Sequence, residues 1–293
     1  MNRMFLVATR LAVAVLASLL LVANPALAQR KQLLEYPSIH SPVVGESGMV
    51  VSQNALASRV GADILREGGN AVDAAVAMGF VLAVTLPRAG NIGGDGFMLV
   101  HDAKSGEQVF FDFRSVAPAA ARLELFVDAE GKEAAVATAG YLAPSVPGTV
   151  AGLYLAHRKF GRLAWKRVLA PAIRLAAEGV TLTPDEAFVF NWGRERLSIS
   201  KAALAAYYKP DGSAYRAGEV MKQPDLAWTL RQVAARGADG FYKGPVAERF
   251  AADMQRHGGL VTAADLAAYQ AAERKPLRGT YRGLDVVTSP PAS

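Results

Sequence analysis

Gly68-Gly69-Asn70-Ala71-Val72-Asp73-Ala74-Ala75-Val76-Ala77 is the stretch on which the reading of this chain turns, because it closes one helix and opens another. Glycine accepts the left-handed backbone that ends a helix, so Gly68-Gly69 marks a C-terminal cap. Asn70 is a strong N-cap type, and Asp73 stands three residues on, where a carboxylate favours a helix N-terminus. From Ala74 to Leu86 the chain is apolar, up to Pro87. A helix that offers no polar face to water has to be enclosed by other elements, so this segment is the predicted centre of the core.

Upstream, Leu56, Val60, Ile64 and Leu65 recur at helical spacing and predict a helix over 56–67. Downstream, a glycine-rich turn leads into two predicted strands, 97–100 and 109–113, joined as a hairpin through Asp102-Ala103-Lys104-Ser105-Gly106. Helical patterns follow over 165–178, after the cap Thr183-Pro184-Asp185-Glu186, and over 224–236, 246–257 and 262–269. Lys209-Pro210-Asp211-Gly212 reads as a turn, and 277–288 as strands around Arg282-Gly283. Helices and hairpins alternate without regular strand-helix-strand units, which predicts a mixed α/β (α+β) fold rather than a Rossmann sheet.

Residues 1–28 carry the pattern of a cleavable secretory signal: Arg3 and Arg10, an apolar run from Leu11 to Ala23, and the small-residue site Ala26-Leu27-Ala28. The run is short for a bilayer span, so a stable membrane anchor is the lesser reading and a periplasmic or secreted location is expected. Residues 29–47, with Pro37 and Pro42 and no period, predict an extended arm, and 48–293 the folded domain.

Composition narrows the function classes. With 293 residues, 52% hydrophobic and 20% charged, a globular chain is expected. Cleavage after residue 28 would remove two positive charges and lower the formal charge from +6 to +4. The basic residues are scattered, and no stripe for nucleic-acid phosphates can be drawn. Absence of cysteine excludes disulfides, thiolate metal sites and a cysteine nucleophile. His40, His101, His157 and His257 are far apart in sequence, so neither a metal nor another cofactor is expected. The segment Gly90 to Phe97 lacks the Gly-Lys-Ser/Thr of a phosphate loop and reads as a structural turn, its glycines suited to tight backbone packing.

Several phrases in order carry a family resemblance. Gly68 to Ala77 is followed by Gly90-Asn91-Ile92-Gly93-Gly94-Asp95-Gly96-Phe97, then Asp112-Phe113-Arg114, then Val146-Pro147-Gly148-Thr149-Val150-Ala151-Gly152. Leu169-Ala170-Pro171-Ala172-Ile173, Phe241-Tyr242-Lys243-Gly244 and Asp265-Leu266-Ala267-Ala268-Tyr269 continue the series. From about Gly48 onward the chain resembles the large subunit of the gamma-glutamyltransferase (gamma-glutamyltranspeptidase) family. The resemblance implies the N-terminal-nucleophile hydrolase fold, an αββα sandwich, here incomplete because the small-subunit half is not in the sequence. It implies a precursor that cuts itself and exposes a threonine, whose hydroxyl attacks the gamma-glutamyl carbonyl of substrates such as glutathione and whose α-amine serves as base. The small subunit of the same precursor is then the implied partner.

Arg114 matches the family's anchor for the substrate α-carboxylate, a role that suits a planar guanidinium able to give two parallel hydrogen bonds. Spacing alone offers another reading: strand alternation puts Asp112 and Arg114 on one face, where they would form a simple ion pair. Asp73 reads as a cap, and Tyr242-Lys243 as a turn packed on the core. Trp165, Trp192 and Trp228 read as core or helix surface.

None of the ten threonines is followed by threonine or histidine, so no internal processing site is proposed and the nucleophile is expected beyond residue 293. The chain by itself is then expected to be inactive. Asp95 departs from a glycine common in the family, and aspartate there resembles related acylase-like members. An acylase acting on amide or beta-lactam side chains is therefore the alternative function, and a non-catalytic remnant the alternative from another class.

Overall fold

The computed structural model describes residues 43–291. The predicted signal at 1–28, the predicted arm as far as residue 42, and His40 lie outside the described residues. Residues 43–54 form neither helix nor strand.

Helix α1 (Ala55–Arg66) begins at Asn54, whose side chain accepts hydrogen bonds from the amides of Leu56 and Ala57. It ends in a Schellman arrangement: the Gly69 amide donates to Ile64 and the Gly68 amide to Leu65, with Gly68 at φ +90°. Helix α2 (Ala71–Thr85) starts in a reciprocal capping box between Asn70 and Asp73. The two caps read from the sequence are therefore present.

Strands β1 (Phe97–His101) and β2 (Gln108–Asp112) form the predicted antiparallel hairpin, with Phe97 opposite Asp112 and His101 opposite Gln108. Asp102 shapes its turn by accepting from Lys104 and Ser105. Helices α3 (Thr149–Phe160) and α4 (Trp165–Glu178) follow, then β3 (Val180–Thr181), α5 (Pro184–Trp192), α6 (Arg194–Leu197) and α7 (Lys201–Tyr207). Beyond them lie β4 (Val220–Met221), α8 (Pro224–Arg236), α9 (Asp239–Tyr242), α10 (Pro245–Arg256) and α11 (Ala263–Ala268). Strand β5 (Ala272–Arg274) joins the far side of β2, and β6 (Leu277–Tyr281) and β7 (Leu284–Thr288) form a separate hairpin. Arg282 and Gly283 both have positive φ in its two-residue turn, the conformation that matches the right-handed twist of the strands.

The apolar α2 packs against α1, α3 and α4, and α4 packs in turn on α8. That enclosure is why α2 carries no polar face. Phe80, Val76, Val81 and Val84 of α2 have at most trace exposure, and Phe80 meets Trp165 edge-on at 5.6 Å. Phe111 of β2 is fully buried and meets Phe160 of α3 edge-on at 6.1 Å, which ties the sheet to the helices. A smaller cluster of Leu182, Phe190 and Met221 organises α5 and the β3–β4 pair.

The sequence patterns missed α3, α6, α7 and α9. Helix α3 has no side-chain N-cap, because its N-cap is Gly148. Its cap comes from elsewhere in the chain: the carbonyl of Gly94 accepts from the amides of Gly148 and Thr149 at 2.7 and 3.1 Å.

Candidate functional site

The β2 ladder stops at Asp112, so Arg114 stands just past the strand and not within it. The backbone here is held from several sides. The Phe113 amide donates to the Gly96 carbonyl at 3.2 Å, and the Arg114 amide donates to Asp112 Oδ1 at 3.0 Å. Tyr269 Oη donates to the Arg114 carbonyl at 2.9 Å. Beyond it, Val116 and Val146 exchange hydrogen bonds as an isolated bridge. All of these bonds except the one to Asp112 join the turn to a distant segment, so the Cα of Arg114 is fixed by the fold.

The guanidinium itself is presented outward, with 57% of the side chain exposed. Its acidic neighbour is Asp95, with Nε 3.5 Å from Oδ2. Asp112 faces a different cation, Arg274 of β5, with Nε 2.9 Å from Oδ2. The Asp112–Arg114 ion pair offered by strand alternation is therefore not formed. Alternation fails because Phe110 to Phe113 are all buried and the strand ends before Arg114, where the chain turns and Asp112 accepts its backbone instead.

Asp95 belongs to the glycine-rich segment between α2 and β1. Its Oδ2 accepts from Ser115 Oγ at 2.6 Å and from the Ser115 amide at 3.0 Å. Partial burial pulls its acidity toward the neutral form, but the two Ser115 hydrogen bonds and the Arg114 charge outweigh that and hold the carboxyl below its ordinary value. The glycines around it differ in need. A Cβ on Gly96 would meet the Phe113 ring at 2.7 Å, whereas one on Gly93 would meet nothing within 4 Å, so tight packing accounts for Gly96 and not for Gly93.

Two tyrosines support the turn from below. Tyr242 donates to the Pro147 carbonyl at 2.9 Å and stacks on Tyr269 at 5.5 Å. Burial pushes the Tyr269 phenol up to about 12, helped by the charges of Asp112 and Asp95, and burial drives Tyr242 upward as well. Both hydroxyls thus remain donors at neutral pH. Gly148 lies between these parts: a Cβ there would overlap the Phe113 carbonyl and Tyr269 Oη.

The predicted structural roles of Asp73 and of Tyr242-Lys243 fit this geometry. Asp73 is fully buried and accepts from the amides of Asn70, Arg162 and Leu163. Lys243 pairs on the surface with Asp239 at 3.0 Å. Among the described residues no group of three His, Asp or Glu is placed to hold a metal. No helix among them is long and apolar enough to cross a membrane. A cleft of about 540 Å³ opens between α5–α7 and the Thr138–Pro144 loop, but neither Arg114 nor Asp95 lines it.

Ser115, Tyr269 and Arg274 were given no role by sequence reasoning. Their partners are distant in the chain, and no local spacing signals such contacts.

Comparison with known proteins places these residues in context. The family model described as gamma-glutamyltranspeptidase matches residues 57–293. A glutathione hydrolase proenzyme of Escherichia coli is 44% identical over 257 residues, covering 87% of this chain and 44% of the relative. The crystal structure of Helicobacter pylori gamma-glutamyltranspeptidase superposes with a TM-score of 0.84 at 42% identity, covering 86% of this chain and 72% of that one. A cephalosporin acylase from Bacillus halodurans is more distant, with a TM-score of 0.73 at 32% identity over 80% of this chain and 44% of that one. The chain spans less than half the length of the curated relatives it matches.

Proposed function

The chain belongs to the gamma-glutamyltranspeptidase family, and from that premise we propose that it forms part of an enzyme that hydrolyses and transfers gamma-glutamyl groups, with glutathione and related compounds as substrates. Its mixed helix-and-sheet fold is that of the N-terminal-nucleophile hydrolases, as its likeness to a solved gamma-glutamyltranspeptidase shows. The carrying observation for the function is Arg114: a rigidly held backbone that presents an exposed guanidinium with one loosely spaced acidic neighbour.

In this reading Arg114 binds the α-carboxylate of the donor through a charge-assisted, bidentate contact. The nucleophile is a threonine hydroxyl carried by a segment outside these 293 residues, since no threonine here has the sequence context of the family's processing point. That hydroxyl attacks the gamma carbonyl, its proton passes through the threonine α-amine to the departing amine, and an ester forms. Water or an acceptor amine then breaks the ester and restores the hydroxyl. The segment bearing the threonine is the expected partner subunit, and residues 1–28 direct the precursor to the periplasm or outside the cell. By itself this chain supplies the anchor and scaffold and is expected not to turn over.

The test is kinetic. In the assembled enzyme, Arg114→Ala is expected to lower kcat/KM for a γ-glutamyl anilide by about 10- to 100-fold, the range for losing a hydrogen-bonded charge contact. Arg114→Lys should recover only part, because an ammonium cannot give the paired contact. Unchanged kinetics in Arg114→Ala, or turnover by residues 29–293 alone, would overturn the assignment.

An acylase acting on other amides is the second reading. Its support is Asp95, which lowers the net positive charge at Arg114, together with the likeness to the cephalosporin acylase. Donors with and without an α-carboxylate separate the two: the acylase reading requires that the second kind be preferred.

A further inference from the structure

Arg88 follows α2 directly after Pro87, and its guanidinium meets one partner among the described residues: Glu186 of α5, with Nε 2.9 Å from Oε1. Glu186 is nearly enclosed, and its Oε2 has no hydrogen-bond partner among the described residues. That oxygen is out of reach of solvent, so the carboxylate does not receive a ligand itself. A buried acid with an unpartnered oxygen costs stability. What it provides is orientation: Nε is held, and the two terminal nitrogens of the guanidinium keep their hydrogens for another acceptor.

Arg88 lines the cleft of about 540 Å³ beside α5–α7. Phe190, Trp192, Leu197, Ile199, Tyr207 and Met254 form its apolar walls, and Phe190 stacks on Tyr207 at 5.4 Å. Trp192 and Ile199 are largely exposed there, and apolar side chains gathered at a cleft mark a binding surface. Small-molecule sites have volumes of about 300–1,000 Å³ and combine apolar walls with a few placed polar groups. The acid of the lining, Asp253, is already engaged by Tyr141 and Arg256, each at 3.0 Å, and Arg196 adds a second cation. Glu186 offsets part of the Arg88 charge, but apolar walls strengthen the hydrogen bonds that the free edge can give.

We propose that this cleft is a binding site for a small monoanion with an aromatic body, an aryl carboxylate in chemical class, whose acid group Arg88 receives through paired hydrogen bonds. The aromatic body covers the apolar walls, Trp192 among them. Arg114 does not line the cleft, so the site stands apart from the role proposed for that residue.

3-Phenylpropanoate and its uncharged amide are the probes, titrated into the assembled enzyme by calorimetry with tryptophan fluorescence followed alongside. The acid is expected to bind about tenfold tighter than the amide and to shift an emission that Trp192→Phe removes. Arg88→Gln should weaken the acid by about 10- to 100-fold and leave the amide unchanged. Should that variant fail to fold, Arg88→Lys keeps a charge beside Glu186 and is expected to weaken the acid alone, by about threefold to tenfold. Ala202 lines the cleft from an exposed position on α7, so Ala202→Phe fills it without crowding the core and should abolish binding of both probes. Arg114→Ala should leave both affinities as they are. Absence of binding to the parent, as when a partner subunit covers the cleft, overturns the proposal. An acid affinity untouched by the Arg88 variants or by Ala202→Phe also overturns it, as does one lost in Arg114→Ala, which would place the probe at the donor site.

Discussion

Replacing Asp73 by alanine tests whether this buried carboxylate is the structural node that its contacts describe. The side chain has no exposure. It accepts from Asn70 N at 2.9 Å and from Arg162 N at 3.0 and 3.1 Å, and lies 3.4 Å from Leu163 N. His157 Nε2 stands 3.4 Å away. Alanine leaves the Asn70 and Arg162 amides without their acceptor and weakens the environment of the Leu163 amide. A buried donor left unpaired costs about 1–3 kcal/mol, so two such groups and a weaker third give about 3–5 kcal/mol. That is a large fraction of the roughly 5–15 kcal/mol by which domains are stable. Asp73→Asn keeps one oxygen, which at the Oδ2 position still accepts from both Asn70 and Arg162 while the Oδ1 contacts are lost, and is expected to lose about 1–2 kcal/mol. Urea unfolding followed by tryptophan fluorescence is the assay, since Trp165 lies 5.0 Å from His157 and reports on this cluster. The urea slope should stay constant while the midpoint falls. A loss under about 1 kcal/mol in Asp73→Ala, with the slope unchanged, would refute the reasoning.

Gly148→Ala places a methyl group against the Phe113 carbonyl and Tyr269 Oη, and is expected to cost about 1–3 kcal/mol and to weaken γ-glutamyl donors by displacing the Arg114 turn; full retention of both would show that the turn yields. Glu186 is nearly enclosed, with Oε2 unpartnered and Oε1 held by Arg88 Nε at 2.9 Å. Burial raises its pKa above the usual 4.5 despite the Arg88 contact, so its contribution to stability is present below that value and lost as pH rises through the folded one. The parent should therefore lose stability relative to Glu186→Gln as the pH is raised above 4.5, and a pH-independent difference between their unfolding midpoints would contradict this.

Much of the scaffold was legible because its signals are local. Asn70, Asp73 and Gly68-Gly69 act within one helical turn, and Arg282-Gly283 sets a two-residue hairpin. Helix α3 escaped notice because its cap is a carbonyl more than fifty residues upstream. At the site, Arg114 was legible as a residue but its neighbour was not. Strand alternation named Asp112, yet Asp112 belongs to Arg274 and to the Arg114 backbone.

The sequence by itself determined the capped helix pair, the buried character of α2, the two hairpins and the family that its ordered motifs resemble. Tertiary structure alone decided that Asp95 meets Ser115 and Arg114, that Tyr269 holds the Arg114 carbonyl, and that β5 closes the far edge of β2. The division has a physical cause. Capping and periodicity depend on groups a few residues apart, whereas each of these contacts joins backbone or charge across a longer stretch of chain, and only the packed core holds both ends in place.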